Sequence, residues 1–327
     1  MSFRVVRPQL QRSLIAVDGR VELAVTDDGL GFAPEDANLM FEKIHRLGDE
    51  MVILAATSDE GPVLFAARAD DFNFRGIAPP APESGVNRPS NGTFRFSPSG
   101  TTYDAFRSER YVLAFDNPGL RRILQHLPYE FVIVLANSET YGGGGIYGLY
   151  STAAAGSAWA GYLVVHEFGH HFAALADEYY TSEAVYEAES ERNEPWEPNV
   201  TALHDPSRLK WGALVAESTP LPTPWPKQAF ETFQRSNQAE RAQLRAAQRP
   251  EAEMDALFRN EQAFVEQLFS AHPETNSVIG AFEGANYAAS GYYRSEMNCT
   301  MFTRHDRFCR VCRDAIEDVI DLYSDAP

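Results

Sequence analysis

The sequence is short of several residue types and patterns, and each shortage excludes a class of protein. Three cysteines in 327 residues exclude a small scaffold held together by many disulfides. There is no run of about 18 apolar residues, so no membrane-spanning helix is expected. The first twenty residues also lack the apolar core of a signal peptide, which favours a cytoplasmic protein or a form without its leader.

Basic residues are scarce relative to acidic ones. Twenty-eight Lys and Arg face 46 Asp and Glu, and the formal net charge is −18. Nucleic-acid partners attract basic surfaces, so a nucleic-acid-binding function is excluded. With 44% hydrophobic residues, the chain has the composition of a globular protein with one large domain or two small ones.

Several stretches predict secondary structure. FVIVLA at 131–136 is the clearest buried strand, and four glycines at 142–145 follow it. The glycine run is interpreted either as an edge that pairs with extended peptide or as a flexible turn. Residues 227–270 and the C-terminal segment 309–325 read as helices, whereas the Pro-, Gly- and Ser-rich stretch 76–104 reads as a long ordered loop.

The segment VVHEFGHHFAALADEYY, residues 164–180, carries the pattern HExxH. Residues four apart share one face of a helix, so His166 and His170 can bind one metal ion as neutral imidazoles. Glu167 can then take the proton of a zinc-activated water. The preceding residues are apolar, and burying such polar side chains without a role is costly, which favours a metal site over a chance match. His171 is interpreted as a packing residue.

The third metal ligand requires the chain to turn. Asp177 lies eleven positions after His166, about 16 Å along an ideal helix, so the helix must end before it. Glycine usually makes such a turn, but Ala173 and Ala174 stand here, and an alanine with positive φ costs about 1 kcal/mol. Asp177 is the predicted third ligand, with Glu178 or a carboxylate from a later helix as alternatives.

HEFGHHFAALADEYY resembles the motif HEFGHxFxGLxDEY of the IgA-peptidase-like zinc metallopeptidases, the igalysins, a branch of the metzincins. Other segments are similar in the same order: DDFNFRGIAPPAPESGV and VLANSETYGGGGIY before the motif, GAFEGANYAASGYYR and NCTMF…FCRVC after it. The resemblance runs from about residue 40, and loosely from residue 20, to residue 325.

The resemblance implies a zinc-dependent metalloendopeptidase with one catalytic Zn²⁺ and a protein or peptide substrate. The implied ligands are His166, His170 and Asp177, with Glu167 as general base. Tyr293 is the implied oxyanion donor, with Tyr292 as the alternative. Met301 falls where the family has the methionine turn below the metal.

The implied fold is a metzincin-like α/β architecture. A twisted mixed sheet and the active-site helix would form an upper half, residues 21–176, and a mostly helical lower half would follow, residues 177–327. Residues 1–20 would be an extension preceding this catalytic domain. The resemblance also implies export, in contrast to the N-terminal composition, and the oligomeric state stays open.

Two alternatives remain for the function. The family glycine is missing at Ala173 and Ala174, which favours a catalytically inactive metallopeptidase-fold binding protein, whereas the intact HExxH argues against it. DDGLGFAPEDANLMFEKIHRL, residues 27–47, resembles a kinase-type ATP box. No second glycine-rich box follows within residues 51–75, so ATP binding is not favoured.

The cysteines admit three interpretations. Cys299, His305, Cys309 and Cys312 have the spacing of a four-ligand structural zinc site. The family resemblance implies instead a disulfide between Cys299 and either Cys309 or Cys312. A disulfide or free thiols are favoured over zinc.

Overall fold

The structure of the protein is a computed structural model. It describes Phe72, Ile77 and residues 79–125, 129–181 and 192–324, together with the backbone of three N-terminal strands. These strands are β1 (Ile15–Val17), β2 (Arg20–Glu22) and β3 (Glu50–Val52). The kinase-like box at residues 27–47 lies outside the described residues. The chain is a mixed α/β protein in two compact units, residues 1–171 and 172–327.

The first unit contains a four-stranded mixed sheet. Its other strands are β6 (Ile133–Ala136), β7 (Gly143–Ile146) and β8 (Tyr150–Ala154), in the order β3-β6-β8-β7. β6 and β8 are parallel, and both outer pairings are antiparallel. All four residues of β6 are buried, as FVIVLA predicted.

Around this sheet, short elements come from the stretch that was predicted to be a loop and from the residues after it. β4 (Thr101–Thr102) and β5 (Leu113–Ala114) form a small antiparallel pair. The helix α1 (Asn117–Leu124) begins after Asp116, whose side chain accepts from the N–H of Gly119. Its Leu120 and Leu124 join Leu113 and Val134 of β6 in one apolar cluster.

The helix α2 (Ala160–Ala173) contains the HExxH motif. Every residue from Leu163 to Gly169 is buried, so this is a core helix rather than a surface one. The prediction of a buried helix around the HExxH motif is confirmed, over residues Ala160–Ala173. The helix ends at Ala173, before the Asp-Glu-Tyr-Tyr sequence.

The described part of the second unit combines four α-helices with a small antiparallel sheet. The helices are α3 (Lys227–Ala246), α4 (Glu251–Ser270), α5 (Pro273–Asn276) and α6 (Arg310–Ser324). The sheet has the order β10-β11-β9, with β9 (Val200–Thr201), β10 (Phe282–Ala285) and β11 (Ala288–Arg294). The helical stretch predicted at 227–270 is therefore two helices. The break contains Gln248 at φ 49° and Pro250.

An aromatic cluster with a buried cation forms part of the core of this unit. The guanidinium carbon of Arg294 lies 3.7 Å from the ring centre of Phe302 and 4.3 Å from that of Trp225. The side chain also donates to the carbonyls of Gly284 and Met297. Among the described helices, none has both the length and the apolar character needed to cross a bilayer.

Candidate metal centre

The two motif histidines face each other on α2. Their Nε2 atoms are 3.3 Å apart, and the rings are nearly perpendicular with centroids 4.9 Å apart. His166 is buried and His170 is half-buried. Two ring nitrogens this close have the spacing at which a pair of histidines can bind one cation.

The other ring nitrogen of His166 has a partner one turn earlier. The hydroxyl of Tyr162 lies 3.3 Å from His166 Nδ1, and the two ring centroids are 5.4 Å apart with their planes tilted by 31°. A partner on Nδ1 helps to fix the ring orientation, in which Nε2 lies beside His170 Nε2. Tyr162 was not singled out by sequence reasoning, although its spacing of four residues from His166 is the helical signal that indicates such a contact.

The glycine run forms the strand that lies against Glu167. A Cβ added to Gly143 would lie 2.9 Å from Glu167 Cγ, and one added to Gly145 would lie 2.3 Å from the carbonyl oxygen of Glu167 and 2.7 Å from His170 Cβ. These glycines are therefore required for close approach between β7 and α2. β7 lies at the end of the four-stranded sheet, as the edge interpretation expects.

That edge is partly occupied. Gly143 exchanges backbone hydrogen bonds with the segment before β5, donating to Arg110 and accepting from Val112. The alternative interpretation of the glycine run as a flexible turn is wrong, since residues 143–146 form a regular strand paired with β8.

The chain turns directly after α2. Ala174 has φ 55°, the left-handed conformation that a glycine would adopt without strain. Within the continuous segment 166–177, the ligand atoms of His166, His170 and Asp177 all lie within 4.8 Å of one another. The alanine turn thus permits the return of the chain that the third ligand requires.

Asp177 is held by the turn between β10 and β11. The hydroxyl of Tyr287 donates to Asp177 Oδ2, and the N–H of Asn286 donates to the Asp177 carbonyl. Asn286 and Tyr287 both have positive φ, 50° and 61°, as in the tight two-residue turns that twist correctly for a hairpin. A tyrosine in this conformation is strained, and such strain is concentrated at functional sites.

A buried asparagine, Asn199, also holds the segment that carries Asp177. The amide of Asn199 accepts from the Ala176 N–H and donates to the Ala176 carbonyl and to Glu178 Oε1. Asn199 is fully buried. Sequence reasoning missed both Asn199 and Tyr287, because neither lies within twenty residues of Asp177 and no local pattern marks them.

His171 has a structural role, as interpreted from the sequence. Its Nε2 accepts from the Val132 N–H, and its Nδ1 donates to the Ile146 carbonyl. Burial lowers the pKa of His171 to about 4, so the ring is neutral at neutral pH. Both of its nitrogens are occupied by backbone groups of the sheet, which leaves none for a metal ion.

The other predicted residues lie in the second unit. Tyr293 is half-buried on β11, opposite Glu283 and Thr201, and burial raises its pKa. Tyr292 is buried and packs with Ala176, Val200 and Ala285 in an apolar cluster.

Met301 is fully buried, and its carbonyl accepts from the Glu178 N–H at 2.8 Å. The backbone of the predicted methionine turn is therefore joined to the segment that carries Asp177.

Glu178, the alternative third ligand, belongs to a different group of side chains. It lies with Cys299, Cys309 and Cys312, and the ligand atoms of these four residues are within 4.8 Å of one another. All three cysteines are buried free thiols. His305, the fourth ligand considered for a structural zinc site, is not a member of this group among the described residues.

Two histidines and an aspartate whose ligand atoms lie within 4.8 Å of one another are a ligand set of the kind that hydrolytic metal sites use. The model of the IgA peptidase M64 family matches residues 36–320, and the chain belongs to this family. The resemblance drawn from the motifs is thereby confirmed. Membership makes the chain a peptidase acting on protein substrates and implies a metal ion. No curated protein matches the chain.

Proposed function

We propose that the protein is a zinc-dependent metalloendopeptidase with a metzincin-like catalytic site. In this proposal His166, His170 and Asp177 hold one Zn²⁺, and Glu167 is the general base. The observation that supports it most strongly is the convergence of these three ligand atoms within 4.8 Å of one another.

The spacing of the donors fits the ion. Zinc binds imidazole nitrogen at about 2.0–2.1 Å, so two nitrogens of a tetrahedral site lie about 3.3–3.4 Å apart. The Nε2 atoms of His166 and His170 are 3.3 Å apart. Neutral imidazoles and a carboxylate are also the donor types that zinc prefers in catalytic sites.

When bound, zinc would supply a Lewis acid that polarises the peptide carbonyl and lowers the pKa of water. Glu167 would take the proton of the attacking water and pass it to the leaving amine. The packing of Gly143 against the Glu167 side chain restricts the carboxylate to few orientations, which suits a base that transfers a proton along a fixed path. Tyr293 is proposed to donate a hydrogen bond to the oxyanion.

Glu167→Ala separates metal binding from catalysis. We expect this variant to keep the metal content of the wild type and to lose turnover by about 10²–10⁴-fold, the contribution typical of a positioned general base. Casein cleavage with and without a chelator measures turnover, and elemental analysis measures the metal. His166→Ala with His170→Ala is the matched control, which should lose both. Wild-type turnover in Glu167→Ala contradicts the mechanism.

Zinc-edge anomalous diffraction tests the ligand set directly. A peak coordinated by His166, His170 and Asp177 is expected in crystals grown without chelator. A peak that lacks Asp177 contradicts the assignment of the third ligand.

The rival function, an inactive binding protein with the same fold, was favoured by the alanines at 173 and 174. Ala174 has the backbone conformation of the missing glycine, so this feature no longer favours the rival. Metal binding without chelator-sensitive cleavage of any protein substrate is the result that would restore it.

A further inference from the structure

A second group of potential metal ligands lies inside the second unit, apart from the histidine pair. Glu178 follows Asp177 directly, Cys299 lies between β11 and α6, Cys309 immediately precedes α6, and Cys312 lies in its first turn. All four side chains are at most 2% exposed. Three sulfurs and a carboxylate in the core need either protons or a cation, because bare charges are not stable there.

We propose that Glu178, Cys299, Cys309 and Cys312 form a structural metal site that binds one Zn²⁺ through three thiolates and one carboxylate. The site differs from the Cys-His arrangement that the sequence suggested, because Glu178 takes the place of His305. It does not depend on the proposed peptidase mechanism.

The distances in the group match a tetrahedral ion. With zinc–sulfur bonds of about 2.3 Å, two sulfurs of a tetrahedral site lie about 3.8 Å apart, and a sulfur and a carboxylate oxygen lie about 3.5 Å apart. Cys299 Sγ and Cys312 Sγ are 3.8 Å apart. Glu178 Oε1 is 3.4 Å from Cys312 Sγ and 3.8 Å from Cys309 Sγ. A disulfide would need sulfurs about 2.05 Å apart.

The sulfurs are surrounded by donors, as thiolate ligands require. Cys299 Sγ accepts from the N–H groups of Met301 and Cys309, at 3.4 and 3.2 Å. Cys309 Sγ accepts from the Cys312 N–H at 3.4 Å and from the Ser295 hydroxyl at 3.2 Å. Hydrogen bonds to ligating sulfurs stabilise the thiolate and orient it, and the N-terminus of α6 adds its dipole.

The Glu178 carboxylate is not fully satisfied by hydrogen bonds. Oε1, the oxygen nearest the sulfurs, accepts from Asn199, and Oε2 is buried with no hydrogen-bond partner among the described residues. A buried carboxylate oxygen without a partner is costly unless a proton or a cation satisfies it.

The surroundings suit a site with excess negative charge. Three thiolates and a carboxylate with a divalent cation leave two negative charges. The buried guanidinium of Arg294 interacts electrostatically with Glu178, Cys299 and Cys309. Arg294 is fixed by the carbonyls of Gly284 and Met297, so its charge stays beside the group.

The ion would have a definite structural effect. It would join the segment after the Ala174 turn to the turn that carries Met301 and to the start of α6. The backbone bond from Glu178 N–H to the Met301 carbonyl already connects two of these segments. The position of Asp177 would then depend partly on Glu178, the next residue, which would bind this structural zinc.

The test begins with the wild-type protein, purified without chelator. Elemental analysis should show two zinc ions per chain in the wild type. The His166→Ala, His170→Ala double variant should contain one, the zinc ion bound by Glu178 and the cysteines. Replacement of zinc by Co²⁺ should give the near-ultraviolet charge-transfer bands of cobalt thiolates in both proteins. These bands report the cysteine site alone, so loss of peptidase activity and loss of this site are told apart.

Two variants localise the bands. Cys312→Ser should abolish them, or shift them and lower zinc affinity at least tenfold. His305→Ala, a control in the segment between Cys299 and Cys309, should leave the bands and the zinc content unchanged. Cobalt-loaded wild type without charge-transfer bands overturns the proposal even if Cys312→Ser does not fold. A wild-type mass lower by two hydrogen atoms, with no thiolate-bound metal, overturns it in favour of a disulfide.

Discussion

The left-handed alanine after α2 leads to a prediction about stability. Ala173 and Ala174 are adjacent and similarly buried, at 5% and 8% exposed, but Ala173 ends the right-handed helix and Ala174 has φ 55°. Replacing either by glycine removes one buried methyl, costing about 0.8 kcal/mol. Glycine also adds about 0.5–1 kcal/mol of chain entropy to lose on folding.

The two replacements differ in strain. At Ala174 glycine relieves the left-handed strain of an alanine, which is about 1–2 kcal/mol. Ala173→Gly should therefore lower the free energy of unfolding by about 1.3–1.8 kcal/mol, whereas Ala174→Gly should leave it nearly unchanged. The difference between the two variants, about 1–2 kcal/mol, isolates the strain.

Urea unfolding of both variants beside the wild type measures this difference, with equal m values as the check that only stability changed. Metal content should be unchanged in Ala174→Gly, because the turn keeps its shape. Equal destabilisation by both replacements would refute the reasoning, since it would mean that Ala174 bears no strain and that the chain turns elsewhere.

Three further predictions concern the residues around the histidine pair. Gly145→Ala should destabilise the protein by about 1–3 kcal/mol or more, because the added Cβ would meet the backbone of α2. The control is Gly212→Ala, where the nearest neighbour of the added Cβ is 3.8 Å away, and it should change stability by less than about 1 kcal/mol. Thermal unfolding compares the two variants. Tyr287→Phe removes the hydroxyl that donates to Asp177, the predicted third ligand. This variant should bind zinc about 10–100-fold more weakly in a chelator competition. Unchanged affinity would show that the contact does not orient the carboxylate. Tyr293→Phe should lower kcat by about 10²-fold with metal content unchanged if its hydroxyl stabilises the oxyanion, and an unaltered kcat would remove it from the mechanism.

The sequence was informative where the signal is local. The HExxH spacing and the apolar residues before it predicted α2 and the facing histidines, because a helix fixes the positions of residues four apart. The end of α2 followed from a distance argument, since Asp177 lies too far along a continuous helix to share an ion with His166. The structure ends the helix at Ala173.

The contacts that sequence reasoning missed are long-range. Tyr287 is 110 residues from Asp177, and Asn199 is 23 residues from Ala176. The glycine run indicated that this backbone has no room for side chains or needs an unusual conformation. It did not indicate that the close neighbours are Glu167 and His170 on the next helix. The group around Glu178 was missed for the same reason, because its carboxylate is more than a hundred residues from the cysteines.

Asp177 and Glu178 are consecutive residues that belong to different ligand groups. One peptide bond therefore links the proposed ligand of the catalytic zinc, Asp177, to the buried group of Glu178 and the three cysteines. An insertion or deletion at this point would disturb both groups at once, and neither could be redesigned without regard to the other. Because the two residues are adjacent, zinc binding by Glu178 and the three cysteines should increase the affinity of the proposed catalytic site for its own zinc ion.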